Sequence, residues 1–342
     1  MRRHCIGAAS RARHYQKRLA LGDVMNFDVF NGDADGICAL LQLRLAEPRN
    51  SKLITGVKRD IGLLNRVDAS TGDRVTVLDV SLDKNHQLLL DLLNKQVDVF
   101  YVDHHQASDI PDHPNLKALI NTDANVCTSL LVDQYLDHRF TAWAVVAAFG
   151  DNLNDSAVQA AQRLNLSAGQ LQQLRQLGVC INYNAYGASI EDLHFLPDQL
   201  FGELYGFQAP FDFIEDKADI YKALLNGYAA DMQQAWQVPA AYKTDKVVVF
   251  ILPNEKWARR VSGVWSNELA SQNRDRAHAV LSLNQQGDYV ISVRAPLNNK
   301  TGADELCSQF SSGGGRKAAA GINHLPVAQL PIFLAALQKQ YQ

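Results

Sequence analysis

Carboxylates and imidazoles recur at turn positions through the first half of this chain. Asn31-Gly32-Asp33-Ala34-Asp35-Gly36 comes first, then Asp79, then Asp103-His104-His105, then Asp151 within Gly150-Asp151-Asn152. A single Asp in such a place is most often a helix cap or a turn residue. Four carboxylate-bearing turns on one sheet are harder to dismiss, because like charges packed together are costly unless cations sit between them. Mixed carboxylate and imidazole ligands suit Mn²⁺ or a related divalent ion, and no thiolate motif points to structural zinc. Two such ions ~3.5–4 Å apart would make a water available for in-line attack and stabilise the charge building on a phosphoryl group. An EF-hand reading of the first group fails, because the twelfth position counted from Asn31 is Gln42 and a strand, not a helix, precedes the turn.

A second constellation lies near the C-terminus: Arg294, then Ser311-Ser312-Gly313-Gly314-Gly315-Arg316-Lys317. Consecutive glycines let backbone amides approach an anion, and arginine supplies a bidentate fork for phosphate. Lys317 follows Arg316 and precedes Ala318, so this is no Walker A loop. Taken alone, the segment reads better as a flexible glycine turn between solvated charges.

The elements that must position these groups alternate. Phe27–Phe30, Arg74–Val80 and Val97–Val102 read as strands, separated by helical stretches at Ile37–Ala46 and Asn85–Asn94; Thr128–Asp137 and Phe140–Phe149 also read as helices. Strands alternating with helices imply βαβ units and a parallel sheet, with chemistry gathered at the carboxyl ends of the strands. That is where Asp33, Asp35, Asp79 and Asp103 fall. The expected fold class is therefore α/β: residues 25–195 a parallel-sheet domain with helices on both faces, 196–245 a helical connector, and 246–342 a smaller α/β domain that closes a cleft. In the second domain Val247–Leu252, Ala277–Leu283 and Asp288–Ala295 read as strands. Trp257–Ser271, Gly302–Phe310 and Val327–Tyr341 read as helices, with Ser311–Lys317 as a turn.

Composition narrows the setting. Lys and Arg total 33 against 36 Asp and Glu, net −3. Residues 1–24 hold six basic side chains and the single acid Asp23, so the body is acidic and any phosphate must be met by local cations or metals. This arm lacks the apolar core of a signal peptide; it reads either as a flexible basic tail or, the favoured expectation, as lying outside the native chain, whose start would be Met25 directly before a strand. Five scattered cysteines (Cys5, Cys38, Cys127, Cys180, Cys307) point to reduced thiols and a cytoplasmic setting. No apolar run approaches the ~18 residues needed to cross a bilayer. His86, His138, His194 and His278 read as surface or satisfied interior residues, Trp236, Trp257 and Trp265 as core, and Arg259 and Arg260 as solvated.

The ordered set Asp33-Ala34-Asp35-Gly36, Asp79, Asp103-His104-His105 and Asp151 resembles the four motifs of the DHH phosphoesterase superfamily. Arg294 with Gly313–Gly321 resembles its DHH-associated C-terminal domain. The likeness runs from about Met25 to the end, with a poorly matched middle. It implies two ions, Mn²⁺ or Mg²⁺. Asp33 would bind one, Asp35, His104 and Asp151 the other, and Asp79 would bridge them. His105 would face the scissile phosphate, Asp103 would support the site or ligate weakly, and Arg294 with Gly313, Gly314, Gly315, Arg316 and Lys317 would hold substrate. Two departures stand out. Many relatives carry His where this chain has Asn31, a weaker ligand that leaves the first metal site partly occupied or dependent on substrate. Many also read GGGH where this chain has Arg316, which anchors an anion but exchanges no proton near neutral pH.

The resemblance implies a metal-dependent, exonuclease-like phosphodiesterase on short single-stranded oligonucleotides or a small nucleotide, and leaves a homodimer open; the acidic body argues against a duplex-DNA scaffold role, and the lack of a long apolar run against a membrane partner. A phosphatase of a bisphosphorylated nucleotide or polyphosphate shares the same metal chemistry. A non-catalytic nucleotide-binding or sensing protein is the rival of another class.

Overall fold

The computed structural model describes residues 24–284 and 286–342; the basic arm expected at 1–24 lies, apart from Val24, outside the described residues, as does Cys5. The first sheet has five strands in the order β2-β1-β3-β4-β5, all parallel: β1 Asn26–Phe30, β2 Lys52–Ile54, β3 Arg74–Leu78, β4 Asp98–Asp103 and β5 Leu116–Ile120. Alternation along the central strands sends side chains to two separate cores. Phe30, Leu78 and Val102 face helices α1 (Ala34–Ala46), α3 (Thr128–Tyr135), α4 (Thr141–Gly150), α5 (Asn154–Ala161) and α6 (Ala168–Asn184). Phe27, Val29, Val75, Val77, Val99 and Tyr101 face α2 (Leu82–Asn94), which contributes Leu89, Leu92 and Leu93. A buried ion pair stitches the first face: Arg44 on α1 donates from Nε and Nη2 to Asp28 on β1 at 2.7 and 2.5 Å, and Nη2 also reaches Thr76 Oγ1 at 3.1 Å.

The edge strands β2 and β5 were not foreseen, because one is three residues long and the other is only partly buried, so neither shows a clear pattern of period two. The stretch expected as a connector forms α7 (Pro197–Leu204), α8 (Pro210–Asp216) and α9 (Ala218–Ala235). Leu200, Leu204, Phe213 and Leu224 enter the first core, while Met232 and Ala235 join a core shared with the second unit.

The second sheet has six strands in the order β10-β11-β9-β8-β7-β6: β6 Tyr242–Lys243, β7 Val247–Ile251, β8 Ala277–Leu283, β9 Tyr289–Arg294, β10 Gly313–Arg316 and β11 Ala319–Leu325. Only β7 and β8 pair in parallel. Helix α10 (Lys256–Gln272) covers one face, and α11 (Ala303–Cys307) with α12 (Leu330–Gln340) covers the other.

The glycine run is an edge strand, not a turn. Gly313 lies where a Cβ would stand 1.8 Å from the Cys307 carbonyl oxygen, and Gly315 has φ +144°, so the glycines serve a tight hairpin pressed against a helix end. Arg259 and Arg260 are not solvated: Arg259 makes a bidentate pair with Asp192 at 2.7 and 2.8 Å, and Arg260 reaches Asp231 at 2.8 Å. Trp265 is core, but Trp236 is exposed. His278 is buried with neither ring nitrogen hydrogen-bonded; burial, aided by the charge of Arg276, pushes it down to about 4 and keeps it neutral. Cys38, Cys127, Cys180 and Cys307 are free and buried, and no described helix is long and apolar enough to cross a membrane.

Helices α4 and α6 cross at Gly178, where a Cβ would lie 2.0 Å from the Val146 carbonyl oxygen. Gly178→Ala must push apart the helix that leads into Asp151, and is expected to destabilise the protein by about 1–3 kcal/mol. A thermal melt should show a fall of several degrees; an unchanged midpoint would mean that the crossing is not close-packed.

Candidate metal centre

The turn after β1 is built by its own side chains. Asn31 Oδ1 accepts from the Asp33 amide at 3.3 Å, and Asp33 then caps α1, its Oδ1 accepting from the Asp35 and Gly36 amides at 3.0 Å each. Asp35, in the first turn of α1, is buried and accepts from the Thr128 and Ser129 amides at 2.8 and 2.7 Å. Those amides open α3, so the positive end of a helix partly offsets this carboxylate. Asp79 follows β3 with φ +57°, a left-handed conformation that Asp tolerates better than most residues and that often marks a functional turn. Its Oδ1 accepts from Thr128 Oγ1 at 3.4 Å.

Asp103, the last residue of β4, faces its neighbours. Its Oδ1 accepts from the His104 amide at 2.8 Å and from His105 Nδ1 at 2.7 Å, and its Oδ2 from the Leu82 amide at 3.4 Å. His104 donates from Nδ1 to the Val126 carbonyl at 2.7 Å, which leaves the lone pair on Nε2. That nitrogen stands 3.3 Å from Asp79 Oδ1, 3.8 Å from Asp35 Oδ2 and 3.9 Å from Asp151 Oδ2. Asp151 follows the C-terminal end of α4, where the helix dipole disfavours a carboxylate.

Acceptors thus face acceptors, and a cation is the natural partner between them. Two overlapping ligand sets have the necessary spacing: Asp35, His104 and Asp151, and Asp79, His104 and His105. Burial, reinforced by neighbouring carboxylates, raises the pKa of Asp35 and raises that of Asp79 strongly. Asp151 behaves oppositely: burial would raise it, but the charges of Lys58, His104 and Arg316 hold it at about 2. Burial and the nearby Asp35 push the Cys38 and Cys127 thiols well above their usual range, so they stay protonated and leave oxygen and imidazole as the donor set. That set fits Mn²⁺ or Mg²⁺.

The remaining expected residues lie on the second unit. Arg316, on β10, places Nη2 3.2 Å from His104 Nε2, donating toward the same lone pair, and 3.9 Å from Asp151 Oδ2, at the mouth of the cluster. Arg294 hydrogen-bonds within its own unit, to Asn267 Oδ1 at 2.7 Å and the Val293 carbonyl at 3.0 Å. Gly314, Gly315 and Lys317 are exposed along the hairpin, with Gly313 half-buried behind them.

Sequence reasoning missed Lys58. Its Nζ contacts Asp33 Oδ2, Asn182 Oδ1 at 2.9 Å and Asp151 Oδ1 at 3.3 Å. Burial would lower this ammonium, but the charges of Asp33 and Asp151 outweigh burial and hold it well above the ordinary lysine range. Beside it, a cleft of about 670 Å³ opens between the two units, lined by Lys58, Arg59, Tyr186, Arg259, Asn284 and Asn323 among others. Arg59 spans this cleft to Ser292 and Asn323, at 2.9 Å each.

No protein-family model matches this sequence, and no curated protein matches it. Solved structures do. A DHH-domain member of the s1p family of ribosomal proteins aligns with TM-score 0.63 and 14% identity over 96% of this chain and 89% of that one. The exonuclease RecJ bound to manganese aligns with TM-score 0.53 and 17% identity over 96% and 93%. A pGpG-specific phosphodiesterase from Vibrio cholerae aligns with TM-score 0.51 and 14% identity over 92% and 98%. The chain shares its fold with these three structures, the first of which is described as a DHH domain.

The raised pKa values of Asp35 and Asp79 set a pH dependence. Without metal, each contributes stability below its unfolded value and loses it as pH rises through the raised folded value. A divalent ion relieves that loss, so the rise in melting temperature on adding Mn²⁺ should be larger at about pH 8 than at about pH 5.5. Equal shifts at both would argue that these carboxylates do not meet the ion.

Proposed function

We propose that this chain is a divalent-metal-dependent phosphodiesterase acting on short single-stranded oligonucleotides or a small nucleotide. The observation that carries this reading is the convergence of the His104 lone pair on Asp35, Asp79 and Asp151, with Arg316 from the other unit at its mouth. Mn²⁺ or Mg²⁺ held there supplies an activated water and a counter-charge for a phosphoryl group. The chain's own groups do the rest. The Val126 carbonyl keeps His104 in the tautomer that can ligate. Asp103 pins His105 through Nδ1, leaving Nε2 of this half-exposed ring for a phosphate oxygen. Burial works against the charged form of His105, but the hydrogen bond and charge of Asp103 outweigh it and raise its pKa, which suits a proton donor to a leaving oxygen.

Arg316 anchors a phosphate with charge-assisted donors, flanked by the Gly313–Gly315 edge and Lys317, while Arg294 supports the sheet behind them. The cleft between the units meets the cluster only at Lys58 and carries Arg59 and Arg259 along its wall, cations that a substrate extending beyond the reacting phosphate would pass. Two proteins with this fold, an exonuclease and a pGpG-specific phosphodiesterase, support a nucleotide substrate. Four buried free cysteines are compatible with a cytoplasmic setting.

Incubating the protein and Mn²⁺ with a panel of dinucleotides, short RNA and DNA oligomers and 3′,5′-bisphosphorylated adenosine tests this directly. Nucleoside monophosphate release from the dinucleotide or oligomers is expected, and Asp79→Asn should reduce it at least about 100-fold. Release of inorganic phosphate from the bisphosphorylated nucleotide alone would move the assignment to a phosphatase. Silence from folded, metal-loaded protein would leave a binding protein. Separately, Arg316→Ala should raise KM about 10- to 100-fold, the loss of a charge-assisted phosphate contact. An unchanged KM would remove Arg316 from the substrate site.

A further inference from the structure

We propose that the Lys58 ammonium is a built-in cation occupying one of the two positions implied for metals, so that the centre takes a single divalent ion. This inference rests on the reading of the cluster as a metal centre and deepens it. Three oxygens surround Lys58 Nζ, from Asp33, Asp151 and Asn182. That is the kind of shell a hard cation would otherwise collect at this point.

The backbone is built to hold the lysine there. The Lys58 amide donates to the Ala185 carbonyl at 2.9 Å, and its own carbonyl accepts from Asn31 Nδ2 at 3.3 Å. Both polar atoms of Asn31 are therefore engaged, one with Asp33 and one with Lys58, and Asn31 acts as a brace for the lysine rather than as a ligand. Asp33 is likewise committed: Oδ1 caps α1 and Oδ2 meets Lys58.

What remains can build one centre and not two. Both ligand sets depend on His104, whose Nδ1 is taken by Val126. A neutral imidazole with one free lone pair coordinates one ion, so the sets are alternatives for, or parts of, the same site. Charge agrees with this reading. With Asp103 paired separately to His105, the carboxylates of Asp33, Asp35, Asp79 and Asp151 are matched by one divalent ion together with Lys58 and Arg316.

Metal stoichiometry tests this without reference to turnover. The full-length chain, loaded with Mn²⁺ and freed of excess, should retain one ion by elemental analysis and give an uncoupled Mn²⁺ resonance spectrum. Lys58→Ala, which leaves Asp33 and Asp151 without their cation, should take a second ion and show spin coupling between the two. Lys58→Arg keeps the charge and should remain at one, which also shows that substitution here permits folding. Two ions in the unaltered chain, or one ion in Lys58→Ala, would overturn the inference while leaving the metal centre intact. No retained ion in any of the proteins would instead remove the metal-centre reading itself.

Discussion

Four carboxylates share a small buried volume at the carboxyl edge of a parallel sheet, and the architecture around them is arranged to make that tolerable. Burying a carboxylate without a partner is costly, and burying several side by side multiplies the cost. The chain meets this with fixed dipoles and fixed charges. The first amides of α3 take both oxygens of Asp35, the first amides of α1 take one oxygen of Asp33, and Lys58 bridges Asp33 to Asp151. Asp79 is the least compensated of the group: it has a weak hydroxyl contact and a left-handed backbone, and burial raises its pKa strongly. The charge deficit is thus concentrated where Asp79 and the His104 lone pair meet, which is where a divalent ion has most to gain.

The sheet makes that concentration geometrically possible. Parallel strands end on the same side, so β1, β3 and β4 deliver Asp33, Asp79 and Asp103 to one edge in register. Asp28 and Arg44 deal with a different charge problem lower on the same face, where the bidentate pair and the Ser51 hydroxyl leave no carboxylate oxygen of Asp28 without a partner. The two acidic sites differ in kind. Asp28 has its cation on a side chain and forms a closed structural pair; the upper cluster is left short of positive charge.

Much of this was legible in the sequence because the signals are local. Each strand ends in an acidic residue within a few positions, and β1, β3 and β4 with their following helices announce themselves by apolar runs. The illegible parts are those that depend on distant contacts. Lys58 sits in a loop after an edge strand of three residues, and nothing near it in sequence shows that Asp33, Asp151 and Asn182 converge on its ammonium. The same holds for Arg259 and Arg260, whose carboxylate partners Asp192 and Asp231 come from other elements. The glycine run misled for another reason. Glycine permits both a turn and a tightly packed edge strand, and only the approach of Gly313 to the Cys307 carbonyl decides between them.

Placing that glycine strand on the sheet edge has a consequence for the chemistry. A flexible turn would let Arg316 wander, whereas pairing with Ala319 fixes its backbone and sets the guanidinium beside His104. The second unit is itself tied to the first by Arg59, which bonds Ser292 on β9 and Asn323 on β11, and by a core that joins Tyr183 and Tyr186 of the first to Val261, Trp265 and Val280 of the second. Because Lys58 precedes Arg59 directly, one short loop both supplies a cation to the carboxylate cluster and holds the domain that supplies the other. The positive charge around the site is therefore coupled to the closure of the two units, with Lys58 on one side of the cluster and Arg316 on the other.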